Sequence, residues 1–431
     1  MEISKLYGIF LSSTGVATDS RKIKGGELFF ALSGENFDGN QFALKALEDG
    51  CCRAVVSRSL DSDDPRLIKV DDTLQTLKEL ARYHRLNGLG GAPVLAITGT
   101  NGKTTTKELV REALQAGFPG KVAATAGNLN NEIGVPLTLL SFPSDIKVGI
   151  VEMGASHPED LRPLLETACP DFGIITNVGK AHLQGFGSFE GVKHAKGLLY
   201  DWIRDHGGVC FANGDDPVLE GMLRERGISN PVLYGANLEG IEILPVTSDE
   251  PFLRIKTCQD IIKTNLVGSY NVPNVLAALC IARRFGVSRE DAISAIEAYT
   301  PSNSRSQLIR TARNTVIADA YNANPSSMRL AVANLAAIQG PKAALLGDMR
   351  ELGPTSVDEH KSIVRLVIDS GIQECCLVGA NFIEASAGTG IPAFRTSADL
   401  AEWLESHPLE GYTVLVKGSR GETMEKVLPK L

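Results

Sequence analysis

The sequence has little of what a membrane-bound, disulfide-bonded or nucleic-acid-binding protein needs. No apolar run approaches the ~20 residues that span a bilayer, and the opening MEISKLYGIFLSSTG has no basic stretch ahead of a long apolar core. A cytoplasmic protein with no membrane span is therefore expected. The formal net charge is -8, so the chain has no overall basic field for nucleic acid or anionic lipid. The eight cysteines include the adjacent pairs Cys51-Cys52 and Cys375-Cys376, with the rest scattered and none at CxxC spacing. That argues against structural zinc and for cysteines that act as small buried hydrophobes. The seven histidines are dispersed as well. Any metal should then be a hard, oxygen-ligated ion that travels with phosphate.

What is present is a globular composition, 43% hydrophobic and 22% charged, in a chain of 431 residues. That length exceeds one ordinary core and implies two to three domains. The most informative stretch is AITGTNGKTTT at 96–106. Residues 94–97 read as a buried parallel strand, and Leu109, Val110, Ala113 and Leu114 recur at helical spacing after Thr104. A glycine-punctuated loop thus sits at a helix N-terminus, where unpaired N–H groups and the positive end of the helix dipole favour phosphate. Gly99 and Gly102 let the backbone approach the oxygens, Lys103 reaches the outer phosphates, and the Thr104 hydroxyl suits Mg2+. Only Thr100 and Asn101 separate the two glycines, whereas the usual consensus has four intervening residues, which argues against an ordinary kinase or GTPase loop.

In chain order the pattern suggests three domains: 1–87, 88–300 and 301–431. The first has a buried strand over 28–32 and an amphipathic helix over 42–47. Ser20, Arg21 and Asn36 in its polar loops could hold a charged, hydroxyl-rich ligand, although taken alone they read first as ordinary loop chemistry. The breaker-rich run NGLGGAP at 87–93 reads as a linker. The second domain alternates strand and helix, with strands over 147–152 and 172–177. In open parallel sheets ligands bind beyond the carboxyl ends of the strands. Glu152 and His182 are placed there, Glu152 as a candidate Mg2+ ligand, directly or through water, or a solvated turn carboxylate, and His182 as a candidate second-metal ligand or charge positioner. A helix over 183–200 carries Lys193 and Lys196, most simply as its solvated face. Residues 232–267 suggest an antiparallel excursion, after which Asn271 and Asn274 open another helix, one of them as its cap or both toward a base.

From residue 301 a second doubly wound unit is expected, with polar residues again at its strand ends. These are DAYNANP at 319–325, GDMRELG at 347–353 and KGSR at 417–420, with a short helix from 422. Asp319 lies where such folds place an acidic residue for a ribose. The overall class is α/β: an N-terminal α/β domain, a central parallel-sheet ATPase domain with an antiparallel β excursion, and a C-terminal Rossmann-like domain.

These motifs occur in one order along the chain: TDSR and LFFALSGENFDG, ITGTNGKTTT, GNLNNEIGVPLTLL, VEMGAS, TNVGKAHL, GSYNVPNVLAA, DAYNANPSSM, GDMRELG and KGSRGETME. Together they resemble the Mur ligase family of peptidoglycan and cell-wall biogenesis, nearest to its members that add D-alanyl-D-alanine to a UDP-linked tripeptide. An amino-acid-adding relative or a folylpolyglutamate synthase is the alternative. The shortened phosphate loop is shared among all of these. The N-terminal motifs, by contrast, are lacking in folylpolyglutamate synthases.

The resemblance implies an ATP- and Mg2+-dependent ligase, acting as a monomer on UDP-MurNAc-tripeptide and D-Ala-D-Ala. It implies ATP contacts at Gly99, Thr100, Asn101, Gly102, Lys103, Thr104, Thr105, Asn271, Asn274, Arg305 and Asp319. Metal contacts fall on Thr104, Glu152 and His182, and Lys196 matches a lysine that several relatives carbamylate. Lys103, Glu152, His182 and Lys196 are thus the catalytic set. Ser20 and Arg21 match a uridine-nucleotide loop, and Asn130 and Asn131 a substrate-facing loop. Asn322, Asn324, Lys417, Ser419 and Arg420 would face the dipeptide and the transferred phosphate. Two positions depart from the family pattern: Asn40 where histidine is common, and Ala318 where an acidic residue is frequent.

Overall fold

The computed structural model describes residues 1–34, 37–247, 250–302 and 305–431. Asn36 therefore lies outside the described residues. Short β-rich runs of Val, Ile, Leu and Phe form three main parallel sheets, each flanked by amphipathic helices, as a repeating strand-helix pattern dictates.

The N-terminal sheet runs Val16–Ala17, Leu28–Phe30, Arg53–Val56 and Leu67–Lys69, all parallel. Asp72 accepts from Gln75 N–H and so starts the helix Thr73–Asn87. One face of this helix joins Leu77 and Leu80 to Leu28 and Phe30 of the first sheet, and the same core continues into Val94, Leu139 and Leu164. Arg85 fastens it there: its buried guanidinium donates to the carbonyls of Ala168, Ala92 and Cys169 and pairs with Asp171 at 2.6 Å. Helix 73–87 is thus shared between the first and second sheets.

The central sheet has the order Val232–Tyr234, Val209–Asn213, Phe172–Ile175, Val94–Thr98, Val148–Glu152 and Val122–Ala124, and every pairing is parallel. All five residues of Val94–Thr98 are buried, as expected of a strand covered on both faces. The antiparallel excursion is present as Glu242–Ile243, Phe252–Lys256 and Ile261–Val267. It is shorter than the pattern suggests, because Val232–Tyr234 joins the parallel sheet. The helix expected over 183–200 is also interrupted. Gly187 turns left-handed (φ 74), ending Leu183–Phe186, and Ser188 caps a new helix, Phe189–Asp205.

The C-terminal sheet has the order Gln307–Arg310, Thr315–Asp319, Thr413–Lys417, Lys342–Gly347, Glu374–Val378 and Ala393–Phe394. It is parallel except at the edge strand Gln307–Arg310. The last segment is not an α-helix but two 3-10 turns, Arg420–Glu422 and Met424–Lys430, with Pro429 inside the second. A proline removes an N–H donor and prevents a regular α-helix there.

Candidate active site

The phosphate loop lies where the pattern places it, between the strand Val94–Thr98 and the helix Lys103–Gly117. Its two glycines are required by geometry. Gly99 has φ +147, and a Cβ there would lie 2.0 Å from Thr176 Oγ1; Gly102 has φ +79, and a Cβ there would lie 2.7 Å from Asn274 Oδ1. The neighbouring strand holds the loop open. Asn177 O accepts from Thr100 N–H at 3.0 Å, its Oδ1 accepts from Asn101 N–H at 3.0 Å, and Thr176 Oγ1 donates to Asn101 O at 2.6 Å. Lys103 Nζ donates to the carbonyls of Gly99 at 2.8 Å and Thr100 at 3.1 Å, curling over the loop. Burial pushes the Lys103 ammonium below the ordinary lysine value; Glu152 opposes this shift and Arg305 adds to it.

Glu152 ends its strand as a buried carboxylate, 2% exposed, which overturns the reading of it as a solvated turn residue. Its charge is compensated by hydrogen bonds from Thr104 Oγ1 at 2.8 Å and Asn130 Nδ2 at 2.8 Å. Lys196 also departs from expectation. It is not on a solvated face but 3% exposed, with Nζ 5.7 Å from the centre of the Phe186 ring. Helix Phe189–Asp205 turns this position inward, and burial together with the charge of Lys103 pushes its ammonium well below the ordinary value. Lys193 stays nearer the surface and pairs with Glu225 at 3.0 Å.

Neither Asn271 nor Asn274 caps the helix Val272–Arg284 with its side chain. Instead Asn271 Nδ2 donates to Val267 O at 2.9 Å, and Asn274 Nδ2 donates to Asn271 Oδ1 at 2.9 Å. Asn274 Oδ1 accepts from Thr106 at 3.1 Å, which braces the helix behind the phosphate loop.

The C-terminal domain supplies the opposite wall. Register pairs Asp319 with Lys417, and Lys417 Nζ sits 2.6 Å from Asp319 Oδ2 and 3.1 Å from Asn322 O. The Arg305 guanidinium stacks 3.6 Å over the Tyr321 ring. Asn324 caps the helix Pro325–Ala337 in a capping box with Ser327, and its Nδ2 donates to Asn101 Oδ1 at 2.8 Å. The two domains also meet where His182 Nδ1 pairs with Glu351, and where Lys180 lies 3.5 Å from Glu359.

Between these walls is a cavity of about 900 Å³. Thr100 to Thr105, Asn130, Asn131, Glu152, His182, Asn271, Asn274, Arg305, Asp319, Asn322, Asn324 and Lys417 all line it. His182 reaches it from a loop well past its strand, in a left-handed conformation (φ 50), rather than from the strand end itself. Ser419 and Arg420 stand outside it: Ser419 accepts from Arg350 N–H at 3.0 Å within its own domain. Ser20 and Arg21 lie apart in the 3-10 turn Ser20–Lys22, where Arg21 grips both Asp19 oxygens and holds that carboxyl down at about 2.

Asn40 is buried, its amide bonded to Ser33, Asp38 and Ser57, so it organises the loop from within. Ala318 is fully buried in its strand, so a carboxylate there would be buried too and would need a compensating partner. Thr176, Asn177, Tyr321 and Glu351 carry no sequence signal beyond their place inside strand-end motifs, because the partners they meet are distant in sequence.

No cluster of three or more His, Cys, Asp or Glu residues gathers among the described residues, so the protein offers no self-sufficient metal cage. The oxygens of Thr104 and Glu152, beside a phosphate-type loop, do fit Mg2+, which takes few protein ligands and completes its shell with phosphate and water. Among the described residues no helix is long and apolar enough to cross a membrane.

Comparison with known proteins finds relatives along nearly the whole chain. Residues 97–282 match the Mur ligase middle domain, 304–420 the Mur ligase glutamate ligase domain, and 12–85 the Mur ligase family catalytic domain. A UDP-N-acetylmuramoyl-tripeptide--D-alanyl-D-alanine ligase of Bacillus subtilis is 32% identical, over 97% of this chain and 93% of its own length. Its Escherichia coli counterpart is 33% identical, over 99% and 95%. Among solved structures, MurF from Acinetobacter baumannii superposes with TM-score 0.85 at 29% identity, covering 98% of this chain and 97% of that one. MurF from Thermotoga maritima in complex with ADP gives 0.84 at 25% identity, with the same coverage. With its three matched segments following one another along the chain, and full-length relatives at this level of identity, the chain belongs to the Mur ligase family.

Proposed function

We propose that this protein is an ATP-dependent ligase that joins D-Ala-D-Ala to UDP-MurNAc-tripeptide, releasing ADP and phosphate, in cytoplasmic peptidoglycan precursor synthesis. The carrying observation is the cavity in which a phosphate loop and Glu152 of one domain face Arg305, Asp319 and Lys417 of another. Relatives bearing that activity in their names align across nearly all of the chain.

An amide does not form from a free carboxylate and an amine in water without a better leaving group. The γ-phosphoryl group of ATP passes to a donor carboxylate oxygen, giving an acyl phosphate and ADP. The dipeptide amine then attacks the acyl carbon, and inorganic phosphate departs with the C–O bond electrons. The first step brings two anions together, so most of the catalytic work is positioning and charge neutralisation. Bound Mg2+ would supply charge stabilisation at the phosphates, held through Thr104 and Glu152, with His182 as a further ligand. Lys103 turns from the loop carbonyls to the phosphate oxygens, while loop N–H groups and the helix dipole hold the remainder.

Arg305 and Asp319 meet the nucleoside from the C-terminal side, so docking of that domain closes the site and excludes water. Asn130, Asn131, Asn322 and Asn324 border the space for the reacting ends of the two substrates. The turn with Ser20 and Arg21 would hold the uridine nucleotide on the separate N-terminal lobe. Lys196 is buried, and burial together with the charge of Lys103 pushes its ammonium well below the ordinary value; as the position that matches the family's carbamylated lysine, it would carry the carbamate if one forms.

Release of ADP and phosphate, measured with a panel of acceptors, tests the reading. Turnover with D-Ala-D-Ala on UDP-MurNAc-tripeptide supports it. Turnover with a single amino acid or on a folate, and none with the dipeptide, overturns it.

A further inference from the structure

Two residues with left-handed backbones meet across the interdomain cleft. His182 (φ 50) and Glu351 (φ 62) are two of the five non-glycine residues with positive φ among the described residues. Such conformations persist only where the surroundings over-determine them, and they gather at working sites.

The surroundings of Glu351 do this. The loop after the strand Lys342–Gly347 is fastened residue by residue to its own domain. Asp348 takes the N–H groups of Asn381 and Phe382 at 2.9 Å each, Met349 N–H donates to His360 Nε2 at 3.0 Å, and Arg350 pairs with Glu422 at 2.8 Å. Glu351 is thereby presented outward at a fixed point. On the other side His182 O accepts from the N–H groups of Gly185 and Phe186 at 3.0 Å each, and Gln184 N–H reaches Glu351 O at 3.4 Å. The ring's Nδ1 meets Glu351 Oε2, while among the described residues no hydrogen bond engages Nε2.

We propose that Glu351 is a positioning residue for His182: its carboxylate accepts the Nδ1–H, leaves the Nε2 lone pair free for the metal, and does so only with the C-terminal domain docked. A carboxylate behind a ligating imidazole fixes its tautomer and its ring orientation. Because the carboxylate belongs to the other domain, docking completes the metal site as well as enclosing the nucleotide. This inference rests on the metal role of His182 given above.

The test measures Mn2+ binding to the full-length protein with a non-hydrolysable ATP analogue, by electron paramagnetic resonance of free Mn2+. The wild type is compared with Glu351→Gln, Glu351→Ala, His182→Ala and the His182→Ala/Glu351→Ala double variant. Glu351→Ala is expected to weaken Mn2+ about tenfold, Glu351→Gln less, with analogue affinity in EDTA unchanged and kcat falling at constant donor KM. In the His182→Ala background, loss of Glu351 adds no further weakening. Weakening by His182→Ala but not by Glu351→Ala overturns the proposal and leaves the proposed function standing. Equal weakening by Glu351→Ala with and without His182 also overturns it. Unchanged Mn2+ affinity in His182→Ala removes the metal role of His182, and the proposal with it, whatever the acceptor assays give.

Discussion

Asn324 Nδ2 donates to Asn101 Oδ1 at 2.8 Å, so the capping residue of a C-terminal helix rests directly on the phosphate loop of the central domain. One asparagine thus performs two tasks, ending a strand-to-helix turn and reporting to the other domain. Asn324→Ser keeps a capping oxygen but withdraws the amide. A lost hydrogen bond of about 1 kcal/mol should raise the KM for ATP roughly fivefold with little change in melting temperature, as steady-state kinetics and calorimetry would read.

The Lys103 ammonium curls over the loop, held by the carbonyls of Gly99 and Thr100. Lys103→Met keeps the length of the side chain and removes the charge proposed above to meet the γ-phosphate. ADP release with the full substrate set should fall by at least about 10²- to 10³-fold, while circular dichroism stays as in the wild type. Turnover within a few-fold of wild type would count against the phosphate role.

Gly99 has no room for a side chain, since a Cβ would lie 2.0 Å from Thr176 Oγ1 and 3.0 Å from Thr176 N. Gly99→Ala must push the loop away from the Phe172–Ile175 strand end. Loss of nucleotide binding by calorimetric titration is expected, with destabilisation of about 1–3 kcal/mol by urea unfolding.

Lys417 is 2% exposed, and Asp319 is its ion-pair partner at 2.6 Å. Asp319→Ala leaves a buried ammonium without its counter-charge and should cost about 3–5 kcal/mol. The double variant Asp319→Ala/Lys417→Met should recover part of this. Both would lack activity, so the comparison is made on urea midpoints.

His84 and His360 supply a pH dependence. Burial pushes both imidazoles below the ordinary histidine value, with the Phe142 carbonyl opposing it at His84 and the Ser356 carbonyl and Asp348 opposing it at His360. In the unfolded chain they titrate near 6.5. Above that pH both states are neutral at these sites and the folded protein has its full stability. Below it the unfolded chain takes up protons that the folded one refuses, so stability falls until the lowered folded values are passed. Melting temperature should therefore drop as the pH falls below about 6.5. His84→Gln should flatten part of that drop in scanning calorimetry.

Much of this was legible from residue order. The strand, loop and helix of 94–117 follow from an apolar run, two glycines and helical spacing, because those interactions are local. The polar strand ends of the C-terminal unit are likewise local facts, and Asp319, Asn322 and Lys417 do reach the cavity. The inward turn of Lys196 was not legible. GVKHAKGLL has the same helical period whichever face is covered, and what covers it is the Phe186 ring across a break at Gly187. Nor could spacing show that Asn271 and Asn274 bond to each other and to Thr106 rather than cap their helix.

The sequence by itself determined the α/β class, the phosphate loop and the set of polar residues available for chemistry, since each depends on neighbours within a few turns of chain. Tertiary structure alone decided which of them meet. Asn101 with Asn324, His182 with Glu351 and Lys103 beside Glu152 are pairs drawn from different strands or domains. Burial, and hence the basicity of Lys103 and Lys196, is set by how those pieces pack, a property that no single stretch of the chain possesses.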